Sequence, residues 1–318
     1  MSERPGSAQN PLRVAIVGSG PAGFYTAEHL LRQEEIAAEV DMLDRLPTPF
    51  GLVRAGVAPD HPKIKSVIRV YEKTAAREGF RFFGNVEVGR DVSAAELSER
   101  YHAVIYAYGA ATDRHLGIPG EDLPGSHPAT AFVAWYNAHP DFADHRFDLS
   151  CERAVVIGNG NVATDVARML ALTRPELEET DTATHAVDPL AECGVREIVV
   201  LGRRGPVQAA FTNPELRELG EMVDADVDVD SADLDLDPDS HAHLESDDAD
   251  ITTRRNVEIL TDFAQRKPEG KRKRISLRFL RSPVEIQGDE RVESLVVARN
   301  ELYRDDRGAI RARDTGER

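Results

Sequence analysis

Apolar and polar positions alternate along this chain in a grammar that is spoken twice. Leu12 to Val17 is a short apolar run; Gly18-Ser19-Gly20-Pro21-Ala22-Gly23 follows, and then a helical pattern through Leu31. That order reads as strand, tight turn and helix. A second strand, Glu39 to Leu43, ends at Asp44, and a Pro/Gly-rich loop runs from Pro47 to Pro62. Ile64, Val67, Ile68, Tyr71 and Ala75 sit at helical spacing, and strands are expected near Phe80 to Phe83 and Ala103 to Ala107. The pattern restarts at Arg153. Ala154 to Ile157 reads as a buried strand, Gly158 to Ala163 as the turn, Val162 to Leu172 as the helix, and Glu197 to Leu201 as the next strand. Alternation of this kind predicts an α/β fold, two Rossmann-like doubly wound parallel sheets. Val257 to Leu260, Ile275 to Leu280, Val284 to Ile286 and Val292 to Ala298 are rich in β-branched residues and predict a small antiparallel section attached to the second sheet.

The domains this implies are residues 1–112 and 113–318. With 41% apolar and 30% charged residues, the chain can form two cores. No apolar run is long enough for a membrane span, and residues 1–10 lack the apolar core of a signal peptide, so a cytoplasmic location is expected. Cys151 and Cys193 are too far apart for a CxxC pair and read as two unreactive thiols.

Charge is unevenly spread. Residues 221–250 hold thirteen Asp or Glu and no Lys or Arg, so of the net −17 only −4 belongs to the other 288 residues. The segment reads as a solvated, partly mobile surface insertion. Directly after it, eight basic residues between Arg266 and Arg281 face only Glu269. No aromatic residues interleave them, so nucleic acid is not expected. A charged hairpin tip and a docking patch for an acidic protein remain open.

The two glycine turns carry the chemistry. In a dinucleotide site the first glycine permits the turn, the second admits the pyrophosphate, and the third lets helix pack on strand, with the helix N-terminus facing the phosphates. Gly18, Gly20 and Gly23 fit, and Asp44 stands where a ribose hydroxyl acceptor is expected. The second turn has Ala163 in place of the third glycine and offers Arg203 and Arg204 after its second strand. Guanidinium groups bind a 2′-phosphate that a carboxylate would repel, so NADP is favoured over NAD. The 45 positions from Gly158 to Arg203 require Thr173 to Cys193 to be an insertion.

VAIVGSGPAG, LPTPFGLVRAGVAPDHPKIK, RFFGNVEVG, VVIGNGNVATDVARML, LGRRGPVQAAFTNPELRE and FLRSPVEI together span nearly the whole chain. On these stretches the sequence resembles the adrenodoxin-reductase type of ferredoxin–NADP⁺ reductase, including its bacterial members. The resemblance implies a flavoprotein passing electrons from NADPH through FAD to a ferredoxin or similar small iron–sulfur protein. It implies FAD contacts at Gly18, Ser19, Gly20, Pro21, Ala22, Gly23, Asp44, Leu52 and Val88. It implies NADP contacts at Asn159, Gly160, Asn161, Val162, Arg203, Arg204 and Glu215, with Arg114 reaching the same nucleotide. His61 and Glu218 match residues that the family places around the reacting rings, for orientation and proton handling. Asp44 departs from the family's usual Glu.

The family's chain returns to complete the FAD domain with a GWxxxGPxG-like segment. No such segment occurs before Arg318, so a product truncated at its C-terminus is expected, its FAD domain incomplete and NADP held more reliably than FAD. Two other readings stay open: an NADP-binding module without turnover, and an NADPH:flavin electron donor like the glutamate-synthase small subunit. Two distant cysteines do not supply the iron–sulfur ligands of the latter.

Overall fold

The computed structural model describes residues 4–110 and 112–318. The chain forms two compact units, one of Met1–Asp113 with Asn137–His139 and the other of Arg114–Tyr136 with Pro140–Arg318. The first unit runs β1 (Leu12–Val17), α1 (Pro21–Leu31), β2 (Ala38–Leu43), α2 (Leu52–Ala55), α3 (Pro62–Lys65), α4 (Ile68–Ala75), β3 (Phe80–Phe83), α5 (Ala94–Arg100) and β4 (Ala103–Tyr106). Among the described residues its strands form one parallel sheet in the order β3-β2-β1-β4. One face packs Val14, Ile16, Val40 and Met42 against Phe24 of α1 and Tyr71 of α4, the two rings stacked at 4.9 Å. The single helix expected over Ile64 to Ala75 is two, since Ser66 and Val67 lie outside both α3 and α4.

The second unit opens with α6 (Ala129–Tyr136) and continues through β5 (Arg153–Ile157), α7 (Asn161–Ala171), α8 (Arg174–Glu178), α9 (Thr184–Ala191) and β6 (Glu197–Leu201). It goes on with α10 (Asn213–Leu219), β7 (Ala225–Val229), α11 (Pro238–Glu245), α12 (Ile251–Gln265) and β8 (Lys273–Arg278). Strands β9 (Arg281–Gln287), β10 (Ser294–Arg304) and β11 (Ile310–Asp314) complete it. Among the described residues β5-β6-β8-β7 form a parallel sheet and β11-β10-β9 an antiparallel one. The insertion required between α7 and β6 is the helix pair α8 and α9, which leaves β5 and β6 adjacent. No helix among the described residues is long and apolar enough to cross a membrane.

Several expectations are corrected here. β5 is an edge strand, not a buried one, and Val155 and Ile157 are 38% and 40% exposed. Val257 to Leu260 belongs to α12, because a four-residue apolar run fits either period and the helical neighbours decide it. Ile275 to Leu280 joins the parallel sheet through β8, not the antiparallel section.

The largest correction concerns charge. The acidic stretch is only in part the solvated surface expected: its Asp-Val-Asp-Val alternation forms β7, with Ala225 and Val229 buried, while most of residues 241–250 are exposed. The basic stretch is the neighbouring strand β8 and its approach. Arg272 pairs with Asp224 at 2.7 Å, Arg278 with Asp228 at 2.8 Å, and Asp226 accepts the N–H groups of Glu269, Gly270 and Lys271. Lys273 is 2% exposed and its ammonium donates to the Leu170 carbonyl at 2.6 Å and lies 3.3 Å from the Cys193 sulfur. Lys271 to Arg274 is therefore not a hairpin tip: it leads into a strand of the parallel sheet, with Lys273 buried and Arg272 and Arg274 exposed. The two opposite runs complement each other across one sheet.

This complement sets an acid dependence. Burial alone would push the Asp226 carboxyl up, but the three backbone donors and the Lys271 charge outweigh it and hold it below its ordinary 3.8. A carboxyl depressed in the folded state contributes stability that is full above its ordinary value and lost as pH falls through the lowered one. Asp226→Asn is expected to flatten the acid limb of stability against pH. Urea melts across the acid range check this, and an unchanged limb would assign the dependence elsewhere.

Candidate nucleotide-binding sites

Both units place a glycine turn at the C-terminal end of their first strand, and both tie it to the second strand in the same way. The N–H of Gly18 donates to Leu43 at 2.8 Å, and the N–H of Gly158 donates to Leu201 at 2.9 Å. Each turn is thereby fixed beside whatever follows the second strand: Asp44 in one case, Gly202-Arg203-Arg204 in the other.

In the first unit the glycines are demanded by sterics. Gly18 has φ +107, and a Cβ there would come within 2.5 Å of the Ala107 carbonyl; a Cβ on Gly23 would strike the Gly18 carbonyl. Gly20 differs, because a Cβ would meet nothing within 4 Å. It caps α1 in extended conformation, and no side chain caps the first N–H groups of this eleven-residue helix. Pro21 and Ala22 open the helix, Pro in the first-turn position where its missing N–H costs nothing.

Asp44 accepts from the Ser19 N–H at 2.9 Å and the Ser19 hydroxyl at 2.5 Å, and from the Leu46 N–H at 2.9 Å. A carboxylate offers about four lone-pair directions, so three contacts still leave room for a ribose hydroxyl. Its first task is internal, locking the buried Ser19 and hence the turn.

The loop after Asp44 closes on this turn. The Phe50 N–H donates to Ser19 at 3.0 Å, Phe50 holds φ 93, and Gly51 lies so near Gly20 that a Cβ would sit 2.8 Å from its Cα. A left-handed Phe is strained, and sequence patterning gave no sign of it. Leu52 begins α2 and is 68% exposed. Val88 is half-buried against Ala15, Leu43 and Leu97. His61 is 8% exposed at the N-terminus of α3, its N–H donating to Ala58 and its carbonyl accepting from Ile64 and Lys65.

In the second unit Gly158 has φ +134, Gly160 caps the eleven-residue α7 without a side-chain cap, and Ala163 is buried against the core. Asn161 opens α7 and its side chain accepts from the Thr212 N–H at 2.9 Å; Val162 is 53% exposed in the same turn. Asn159 stands where the first unit has Ser19, and Gly202 where it has Asp44. A Cβ on Gly202 would lie 2.8 Å from the Asn159 side-chain nitrogen, so the amide fills the space a carboxylate would need. That amide nitrogen is buried and has no acceptor among the described residues.

Beyond Gly202, Arg203 is exposed and Arg204 half-buried, and neither guanidinium has a hydrogen bond or ion pair among the described residues. Arg114 is exposed in an irregular segment. Glu215 and Glu218 both lie on α10 and share Arg168 of α7, at 3.2 and 3.5 Å, with Asp165 at 2.8 Å. Arg168 and Glu215 are buried, whereas the Glu218 side chain is 41% exposed. Arg168 escaped sequence reasoning; its one signal was a cation on the buried stripe of α7.

Known proteins carry the same design. The family described as pyridine nucleotide-disulphide oxidoreductase matches residues 12–175. The NADPH-ferredoxin reductase FprA of Mycobacterium leprae is 54% identical over 309 residues, covering 96% of this chain and 67% of the relative. The mitochondrial NADPH:adrenodoxin oxidoreductase of Arabidopsis thaliana is 54% identical over 214 residues, 67% of this chain and 44% of the relative. The solved structure of Mycobacterium tuberculosis FprA in complex with NADPH superposes with a TM-score of 0.91 at 52% identity, covering 97% of this chain and 68% of that one. The chain belongs to the pyridine nucleotide-disulphide oxidoreductase family and, within it, to the group of NADPH-ferredoxin reductases and NADPH:adrenodoxin oxidoreductases.

Proposed function

We propose that this chain is an NADPH-dependent flavoprotein reductase, with residues 1–112 as the FAD domain and 113–318 as the NADP domain. The observation that carries the reading is the difference between two otherwise matching turns. One ends at a carboxylate, Asp44, bonded to Ser19; the other has Gly202 packed on the Asn159 amide and then two arginines without a partner among the described residues. A ribose with free hydroxyls suits the first, and a ribose bearing a 2′-phosphate suits the second.

The bound groups would supply hydride transfer from nicotinamide to flavin and single-electron delivery to a ferredoxin-type iron–sulfur protein. The chain's own work is binding and orientation. The open space at Gly20 and the uncapped start of α1 fit a pyrophosphate, and Leu52 and Val88 offer apolar contact to the rest of FAD. Asn159, Gly160, Asn161 and Val162 would hold the NADP pyrophosphate, the orphaned Asn159 amide donating to an oxygen. Arg203 and Arg204 would clamp the 2′-phosphate, with Arg114 and Glu215 at the same nucleotide. His61 and Glu218 would orient the reacting rings and hold protons. A cytoplasmic setting, which keeps Cys151 and Cys193 as the free thiols they are here, belongs to the same reading.

Gly20→Ala separates binding from folding. The added methyl meets open space, so the melting temperature should stay close to that of the parent chain, while flavin content after FAD reconstitution drops at least severalfold. Undiminished flavin content would remove the pyrophosphate from this turn.

A further inference from the structure

The backbone that carries Arg203 and Arg204 is held by three consecutive carbonyls. Gly202 accepts from the Arg281 N–H at 3.0 Å, Arg203 from the Asn300 side chain at 2.8 Å, and Arg204 from the Leu280 N–H at 3.1 Å. The outer two donors are main-chain groups that any sequence could supply. The middle one is a side chain, 4% exposed, and it belongs to β10 of the antiparallel sheet, 97 residues further along the chain.

The geometry of Asn300 points to a dedicated role. Its side-chain nitrogen donates to the Arg203 carbonyl and, at 2.7 Å, to the Ser282 hydroxyl, while its main-chain N–H donates to Leu280 at 2.8 Å. A carbonyl only accepts, so the Arg203 contact fixes which end of the amide faces it. Leu280 itself is left-handed, φ 53, where the chain turns from β8 to β9, and Asp233 secures that turn by accepting the Phe279 N–H at 2.8 Å. The arginine loop and the first turn of the antiparallel sheet are thus stitched together by one buried amide.

We infer that Asn300 is a positioning residue for coenzyme selection: its amide sets the Arg203 peptide, and through it the direction of the two guanidinium groups toward a 2′-phosphate. The inference rests on the reading of Arg203 and Arg204 given above. Asn300 touches no nucleotide in this scheme. Its effect is confined to ligands that bear the phosphate, since a ribose without one makes no use of the arginines.

Asn300→Leu keeps the side-chain size and removes both donors. Calorimetric titration of the full chain with adenosine 2′,5′-bisphosphate and with 5′-AMP is expected to show the first weakened about tenfold, as for loss of one buried hydrogen bond, and the second unchanged. Asn300→Ser, which withdraws the donor from Arg203 without inserting an apolar group, gives the same direction if the leucine variant does not fold. Ser282→Ala, which leaves the Arg203 contact in place, should leave both affinities as they are. Equal weakening of both ligands would make Asn300 a merely structural residue and overturn the inference. So would an unaltered bisphosphate affinity in the Asn300 variants while Arg203→Ala/Arg204→Ala loses it. If the double arginine variant also discriminates like the parent, the coenzyme reading falls, and the inference with it.

Discussion

Replacing Arg203 and Arg204 together by Ala should weaken NADPH binding by roughly 2–5 kcal/mol and leave NADH almost untouched. Two charge-assisted contacts at about 1.5–3 kcal/mol each, less compensation by water, give that range. In binding constants it is a loss of about thirtyfold to several thousandfold. The sign of the selectivity follows from the site. Both guanidinium groups lack a partner among the described residues, and the place where a carboxylate would favour NADH is closed by the Asn159 amide against Gly202. The variant should therefore lose preference without gaining affinity for NADH. Titration with both coenzymes checks this, and equal losses for the two would sink the assignment.

Arg168→Met should destabilise the second unit by about 3–5 kcal/mol, because it removes a buried cation that binds Asp165 and Glu215. Arg168 is 3% exposed and lies 2.8 Å from Asp165 and 3.2 Å from Glu215, whose side chains are 13% and 6% exposed. Methionine keeps most of the volume, so the loss reads charge and not cavity. Arg168→Lys retains the charge but not the planar fork that reaches three carboxylates, and should fall between. Adding Glu215→Gln to Arg168→Met should recover part of the loss, since one of the carboxylates that Arg168 bound is then neutral. Urea unfolding measures all three. A loss under about 1 kcal/mol for Arg168→Met, the size typical of exposed pairs, would mean the cluster is solvated.

What could be read from the sequence was local. The two glycine turns, the strands before them and the residues after Leu43 and Leu201 follow from short-range backbone geometry, and each falls where patterning placed it. The long interval before Arg203 was also resolved correctly, because α8 and α9 fill it. What failed was long-range. Asp224 to Asp228 looked like solvated acid because the strand that neutralises it begins at Lys273, and neither segment alone shows that the two are neighbours. The same blindness hid Asn300, a polar residue whose partner lies 97 positions away, and it misread Lys273 as surface charge. Asp44 was legible as a site residue but not in its first task of holding Ser19.

The central claim is that one turn serves FAD and the other NADP, so that electrons pass from NADPH to the flavin. The most direct measurement is anaerobic titration of the FAD-reconstituted chain with NADPH and, separately, with NADH, followed by the visible flavin absorbance. The account predicts bleaching by NADPH at a stoichiometric endpoint and far slower bleaching by NADH. A bound flavin reduced equally fast by both coenzymes would contradict it.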